Sequence, residues 1–335
     1  MAHFDMPLDE LERYTPKVQC PDDLVPFWTR TVREARAAGT GTPELAEVST
    51  GLTAVRVWDV TFPGFGGHPI KAWLLRPASV EVDEPIPAVV EFVGYGGGRG
   101  LPHEHLEWAA AGMAHLVMDN RGQGGHWGSG GLTPDPVGRS AGVSGVMTAG
   151  IENPEDHYYR RLYTDGVRAV DAVRSLPGVW SDCVAIKGIS QGGGCALAVA
   201  SIFGMLDGLP PAVMANVPFL CHFRRAVELV DTHPYSELTQ YLSVRRDPSA
   251  ERQLWNTLSY LDNVNLVRFA RSAALFSVAL MDQTCPPSTV YAAFNAWGAD
   301  TGATAPKQID VYPYNQHEGG ASYRFPAELE WIKSL

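Results

Sequence analysis

The chain of 335 residues has little of what would tie it to nucleic acid or a membrane. It carries 26 Lys and Arg against 37 Asp and Glu, a formal net charge of -11. A surface of that sign repels phosphate backbones and anionic lipid, so neither is expected as a partner. No apolar run approaches the roughly 20 residues of a membrane helix. The start, Met1-Ala2-His3-Phe4-Asp5-Met6-Pro7, has no basic stretch leading into an apolar one, unlike a secretory signal. Cysteine is scarce: Cys20, Cys183, Cys195, Cys221 and Cys285 form no C-x-x-C pair and show no metal spacing. Such an odd, scattered set reads as reduced and mostly buried thiols, which predicts a cytoplasmic protein without structural metal. Repeats and low-complexity linkers are missing as well. Hydrophobic residues make up 45% of the chain and charged ones only 19%. That excludes disorder and leaves enough apolar material for a large core.

The hydrophobic pattern predicts an α/β architecture. Residues 8–38 read as helical, with Leu8, Leu11, Phe27, Trp28 and Val32 spaced through a charged background. Strands are expected at Val55–Phe62 and Ile70–Arg76, joined by the turn Pro63-Gly64-Phe65-Gly66-Gly67. Further strands are expected at Pro87–Tyr95, His115–Asp119, Ala212–Val217, Ala274–Leu280 and Ile309–Tyr312. Residues 126–157 are rich in Gly and Pro and read as a long loop. Helices are expected at Tyr158–Leu176 and Pro326–Leu335. Alternating strands and helices imply a mostly parallel central sheet flanked by helices on both faces. The block from about 220 to 272 has no strand pattern and reads as a helical insertion over the active-site edge. One domain is expected, with an N-terminal helical extension over about residues 1–50.

The most informative stretch is Gly188-Ile189-Ser190-Gln191-Gly192. It follows the apolar run Cys183-Val184-Ala185-Ile186-Lys187 and precedes Gly193-Gly194-Cys195-Ala196-Leu197-Ala198-Val199-Ala200. Strand, sharp turn and small-residue helix are the context of a nucleophile elbow, which holds a serine hydroxyl up into a cleft. Gly188 and Gly192 keep side chains out of the turn. The α/β-hydrolase fold places the acid and then the histidine after the serine in the chain. Of ten histidines, His222, His233 and His317 follow Ser190, and His317 alone comes after the last strand. Asp282 ends the strand before it and is the expected orienting acid. Asp262 sits in a helix-like stretch, and Asp310 falls within the final strand. The oxyanion hole needs two N–H donors. Gln191 is expected to supply one, and the loop Gly94-Tyr95-Gly96 the other.

Other constellations point elsewhere. His103-Glu104-His105 lacks H-E-x-x-H and a third ligand in register, so these side chains are expected to face solvent and hold no metal. The glycine loop completes no nucleotide-binding pattern, and no cofactor is expected. Asp231-Thr232-His233-Pro234 reads as a helix terminus. Trp108 reads as core packing on a helix. Arg121, after a strand and beside glycines, is expected to brace the elbow through carbonyls or a carboxylate.

With these pieces in place the chain resembles carbohydrate esterase family seven, the acetyl xylan esterase and cephalosporin-C deacetylase group. The resemblance rests on Arg121-Gly122-Gln123-Gly124, on Gly188-x-Ser190-Gln191-Gly192-Gly193-Gly194 and on His317-Glu318. It extends to Tyr158-Tyr159-Arg160-Arg161, to Val217 through Arg225, and to Met281-Asp282-x-x-Cys285-Pro286-Pro287-Ser288-Thr289. It departs in the loop Gly125-His126-Trp127-Gly128-Ser129-Gly130-Gly131 and in residues 132–146. The resemblance implies a serine esterase with Ser190 as nucleophile, His317 as base, Asp282 as acid, and Tyr95 and Gln191 as oxyanion donors. It also implies small acetylated sugars or cephalosporin C as substrates, and a homohexamer built as a trimer of dimers. A serine peptidase or a general short-chain esterase of the same fold is the alternative reading. A binding protein that has lost its catalysis fits least, because no triad member is missing.

Overall fold

The computed structural model describes residues 3–138, 145–206, 208–302 and 306–335. Its frame is a nine-stranded sheet in the order β1-β2-β3-β5-β4-β6-β7-β8-β9. The strands are β1 (Glu44–Glu47), β2 (Val55–Pro63), β3 (Pro69–Pro77), β4 (Ile86–Phe92), β5 (Ala114–Met118), β6 (Val179–Ile189), β7 (Ala212–Asn216), β8 (Ala274–Ala279) and β9 (Lys307–Tyr312). From β5 to β9 across the sheet, neighbours run parallel. β1, β2 and β3 add antiparallel strands on the β5 side. The hairpin of β2 and β3 matches expectation. β1 was not foreseen: Glu-Leu-Ala-Glu is exposed at all four positions, so it lacks the alternation that marks a half-buried strand.

The parallel strands alternate between two cores. Val90, Ile186, Val213 and Phe276 join a large cluster on one face, while Val89, Ala185, Met214 and Leu275 join a smaller one on the other. Burial on both faces explains why these strands read as continuous apolar runs. In chain order the helices are α1 (Leu8–Leu11), α2 (Leu24–Ala38), α3 (Glu107–Ala110), α4 (Tyr158–Arg174), α5 (Gln191–Met205), α6 (Phe223–Leu229), α7 (Ser236–Val244), α8 (Pro248–Ser259), α9 (Asn263–Leu266), α10 (Pro287–Ala296) and α11 (Arg324–Lys333). α2, α4, α5 and α10 contribute to the large core, whereas Trp108 of α3 and Trp331 of α11 belong to the small one. The expected helix over 8–38 is therefore two helices. Pro16 and Pro21 stand in the break, where proline removes a donor and clashes with a preceding turn. The block between β7 and β8 is the expected helical insertion, α6 to α9. Within the long loop, residues 139–144 lie outside the described residues, and the described remainder holds no helix or strand between β5 and α4. None of the described helices is long and apolar enough to cross a membrane.

Topology sets the site. The chain steps outward from β4 to β5 on one side and from β6 to β7 on the other. The loops after β4 and β6 therefore diverge and leave a crevice at the carboxyl ends of the strands, where open α/β sheets bind ligands. α5 starts there with its first turn pressed on the sheet. A methyl group on Gly192 would stand 2.0 Å from the Phe92 carbonyl oxygen, and one on Gly188 would stand 2.2 Å from the Gly192 carbonyl carbon. Both glycines are thus required by backbone contact. α4 begins at His157, whose Nδ1 accepts from the Tyr159 N–H at 3.1 Å. Its Nε2 lies 3.1 Å from the Met147 carbonyl.

Two outcomes follow from this packing. Gly192→Ala should cost about 1–3 kcal/mol by overpacking, read as a lower urea midpoint at unchanged slope. Burial pushes the His157 imidazole from an ordinary 6.5 down to about 3. Between those pH values the unfolded chain takes up a proton that the folded chain refuses, so His157 costs stability as pH falls through that window. His157→Gln should flatten the acid limb of a stability–pH curve measured between pH 7 and pH 4.

Candidate active site

Ser190 ends β6 and forms the cap of α5, with φ 58° and ψ -121°. A non-glycine residue in that region is strained, so its surroundings must hold it there. Its N–H donates to the Asn216 carbonyl at 3.0 Å, and its own carbonyl accepts from the Gly194 and Phe219 N–H groups at 2.9 Å each. The elbow is thereby tied to the end of β7 and to the loop beyond it. Ser190 lines a cavity of about 660 Å³, together with His317, Tyr95, Trp127 and His233.

Asp282 and His317 come from the loops after β8 and β9. The His317 Nδ1 lies 2.8 Å from Asp282 Oδ2. The other carboxylate oxygen accepts the Thr284 and Cys285 N–H groups at 2.7 and 2.9 Å. The Asp282 carboxylate is fully buried. With the carboxylate as acceptor, His317 Nδ1 carries the hydrogen, which leaves Nε2 as the lone-pair nitrogen. Backbone bonds from Leu280 to Tyr312 and from Met281 to Asn315 hold the two loops side by side. The exposed Glu318 closes the histidine loop by accepting from the Asn315 side chain at 2.7 Å and the Gln316 N–H at 3.0 Å. Those bonds, the Asn315 one first, hold its carboxyl below the usual range.

The loop after β4 and the elbow are joined through the Gln191 side chain. Its Nε2 donates to the Val93 carbonyl at 3.3 Å, and its Oε1 accepts from Tyr159 Oη at 3.0 Å and Gln123 Nε2 at 3.1 Å. Gln191 also opens α5, so its N–H has no partner within the helix. Asn120 Nδ2 contacts the carbonyls of Val93, Gly94 and Gly97 and so fixes the curve of the Tyr95 loop. The Tyr95 hydroxyl donates to the Glu237 carboxylate of α7. Burial, reinforced by Glu237, drives that phenol far above its ordinary value. Glu237 is itself buried and accepts the Gly145 and Met147 N–H groups at 2.9 and 3.1 Å.

Of the two partners expected for Arg121, carbonyls or a carboxylate, the structure gives carboxylates. Its guanidinium is fully buried and pairs with Asp165 of α4 and Asp135 of the long loop. None of the hydrogen bonds of its guanidinium goes to the elbow. Its carbonyl accepts from Tyr158 Oη at 2.6 Å, Tyr158 Oη accepts from Gln123 Nε2 at 2.7 Å, and Gln123 reaches Gln191. The brace is therefore relayed, because the arginine's charge is best met by two buried carboxylates rather than by neutral carbonyls.

The competing residues are otherwise engaged. Asp262 caps α9 and accepts the N–H groups of His222, Phe223 and Val264. Burial pushes its carboxyl up to about 6. Asp310 pairs with Arg324. Glu104 caps its own loop by accepting the Leu101 N–H at 2.9 Å, and His105 bonds the Arg99 carbonyl at 2.9 Å. Trp108 is buried against Phe325 and stands outside the Ser190 cavity. Among the described residues, one group offers three donor atoms within 4.8 Å of one another: Asp282, Cys285 and His317. Burial first, and then Asp282, drive the Cys285 thiol well above its ordinary value. Asp282 already directs both oxygens to its own loop and to His317, so this set is poorly suited to a metal.

Glu237, Gln123 and Asn120 had no role assigned from sequence. Gln123 stands within the quoted Arg121-Gly122-Gln123-Gly124 run and could have been suspected. Glu237 could not: it follows a stretch of charged residues, and nothing in helical spacing tells a buried glutamate from a solvated one.

Solved structures share the fold over nearly the whole chain. The acetyl xylan esterase from Paenibacillus sp. R4 superposes with a TM-score of 0.86 at 35% identity, over 98% of this chain and 99% of that one. Acetyl xylan esterase 1 from Thermoanaerobacterium sp. JW/SL YS485 gives 0.84 at 30% identity, over 98% and 99%. The acetyl esterase Axe7A of Xylanibacter ruminicola is 28% identical over 199 residues, 57% of this chain. That match spans only 39% of the length of Axe7A. The pattern that defines the family described as acetyl xylan esterase (AXE1) matches residues 1–335, and the chain belongs to that family.

Proposed function

We propose that the protein is a serine esterase that removes O-acetyl groups from small acetylated saccharides such as xylo-oligosaccharides. The observation that carries this reading is the 2.8 Å contact between His317 Nδ1 and Asp282, with His317 and Ser190 on one cavity at the strained end of β6. Family membership supports the acetyl ester as the bond attacked.

The chemistry is a two-step acyl transfer. His317 Nε2 takes the Ser190 proton as the serine oxygen attacks the acetyl carbonyl, and Asp282 stabilises the imidazolium. The N–H groups of Gln191 and Tyr95 meet the oxyanion, each typically worth about 3 kcal/mol in the transition state. The C–O bond to the sugar breaks, and the departing alkoxide takes the proton from His317. Water then attacks the acetyl-serine with His317 as base, and acetate leaves as Ser190 recovers its proton.

The family resemblance also supports cephalosporin C as a substrate and a homohexamer, a trimer of dimers, as the assembly. All five cysteines are unpaired, which suits the reducing cytoplasm.

Ser190→Ala should lower turnover of acetylated xylobiose by at least about a thousandfold and abolish labelling by a fluorophosphonate probe. Activity near wild type would remove Ser190 from the mechanism. Asp282→Asn should cost about 10⁴-fold in kcat, by analogy with the acid of other triads. Asp262→Asn should lower stability while leaving the folded enzyme's turnover close to wild type; the reverse pattern would reassign the acid. Glu237→Gln keeps the shape but leaves a single acceptor oxygen, so its NH2 faces either the Met147 N–H or the Gly145 N–H beside the Tyr95 hydroxyl. It should lower kcat by about 10-fold to 100-fold through a displaced Tyr95 loop, with little change in KM. Steady-state kinetics beside a thermal melt would show whether that loop instead holds itself.

A further inference from the structure

The cavity at Ser190 is much larger than an acetyl group, and its widest apolar element takes no part in the acyl transfer. Trp127 lies in the Gly125–Gly131 loop where the chain departs from the family pattern, and it is 52% exposed although it lines the cavity. Its indole is held from two directions. Nε1 donates to the Tyr95 carbonyl at 2.6 Å. The ring also rests against the glycine loop, since a methyl group on Gly97 would fall 2.4 Å from Cζ2 and one on Gly94 would fall 3.3 Å from it. A large aromatic side chain backed by bare backbone, fixed by its own N–H and still half uncovered is a preorganised plate.

The groups around the plate say what it fits. His126, Ser129, Glu104 and His105 line the same cavity, and the Ser129 hydroxyl donates to Glu104. An apolar face with a polar rim is poorly matched to a long acyl chain, which needs an apolar sleeve. It matches a sugar ring, whose C–H groups carry partial positive charge and meet the negative face of an aromatic ring, while its hydroxyls reach the rim. We propose that Trp127 is the stacking platform for the pyranose ring that carries the scissile acetyl group. This specificity role rests on the esterase reading above and assigns the alcohol side of the ester to the Trp127 wall.

The test compares acetylated xylobiose with ethyl acetate, an ester whose alcohol has no ring, in the full-length enzyme. The ratio of kcat/KM for the sugar ester over that for ethyl acetate should fall about tenfold in Trp127→Ala, mainly through KM on the sugar ester. Trp127→Phe, which restores an aromatic face without the N–H, should recover most of the ratio. A common loss on both esters with the ratio unchanged means that Trp127 only supports the Tyr95 loop, and this overturns the platform alone. A wild-type enzyme that turns over neither ester overturns the esterase reading and the platform together.

Discussion

The site depends on one strained residue held at a divergence in the sheet. Ser190 has its unfavourable backbone conformation because β6 ends where the chain order of the sheet reverses. There the Asn216 carbonyl and the Gly194 and Phe219 amides grip its peptide from the neighbouring strand, helix and loop. Relaxing that conformation would break three backbone bonds and pull the first turn of α5 off the Phe92 carbonyl. The strain is therefore sustained by the core, and it leaves Ser190 on the wall of the cavity.

Buried polar contacts extend this rigidity to groups that come from distant parts of the chain. Gln191 fastens the elbow to the loop after β4, and Gln123, Tyr158 and Tyr159 complete that contact. Arg121 and Arg161 gather Asp135 and Asp165, anchoring the long loop to α4. Glu237 ties the insertion to Tyr95. Each buried carboxylate is met by N–H groups or a guanidinium, which is the condition under which burying a charge does not unfold the site. The insertion therefore acts as part of the wall of the crevice, beyond merely covering it.

The two sides of the crevice differ in character. On the proposed mechanism, the side that holds the reacting carbonyl is built from backbone amides and the Asp282–His317 pair, elements that any α/β-hydrolase of this kind can share. The side proposed to face the alcohol is the glycine-rich loop after β5, where Trp127 and its polar neighbours line the cavity. Chemistry thus sits on the sheet ends and recognition on a loop, so the second can vary without disturbing the first.

The sequence by itself determined the strands of the parallel sheet, because burial on both faces leaves an uninterrupted apolar run. It also determined the elbow, because only glycine fits where the Gly188 and Gly192 backbones touch their neighbours. Chain order was enough to nominate Ser190, Asp282 and His317 as the proposed triad, since each stands just past a strand whose position the apolar pattern had marked. Exposed β1 carried no such pattern, and the helix expected over residues 8–38 is divided at its prolines. What only the tertiary structure decided is which polar side chains are buried and against whom. Arg121 turned out to meet two carboxylates and to reach the elbow only through Tyr158 and Gln123, Glu237 to hold Tyr95 from 142 positions away, and Trp127 to line the cavity. Hydrogen-bond partners distant in sequence leave no periodic signal, because their pairing is set by how the loops converge at the sheet's end.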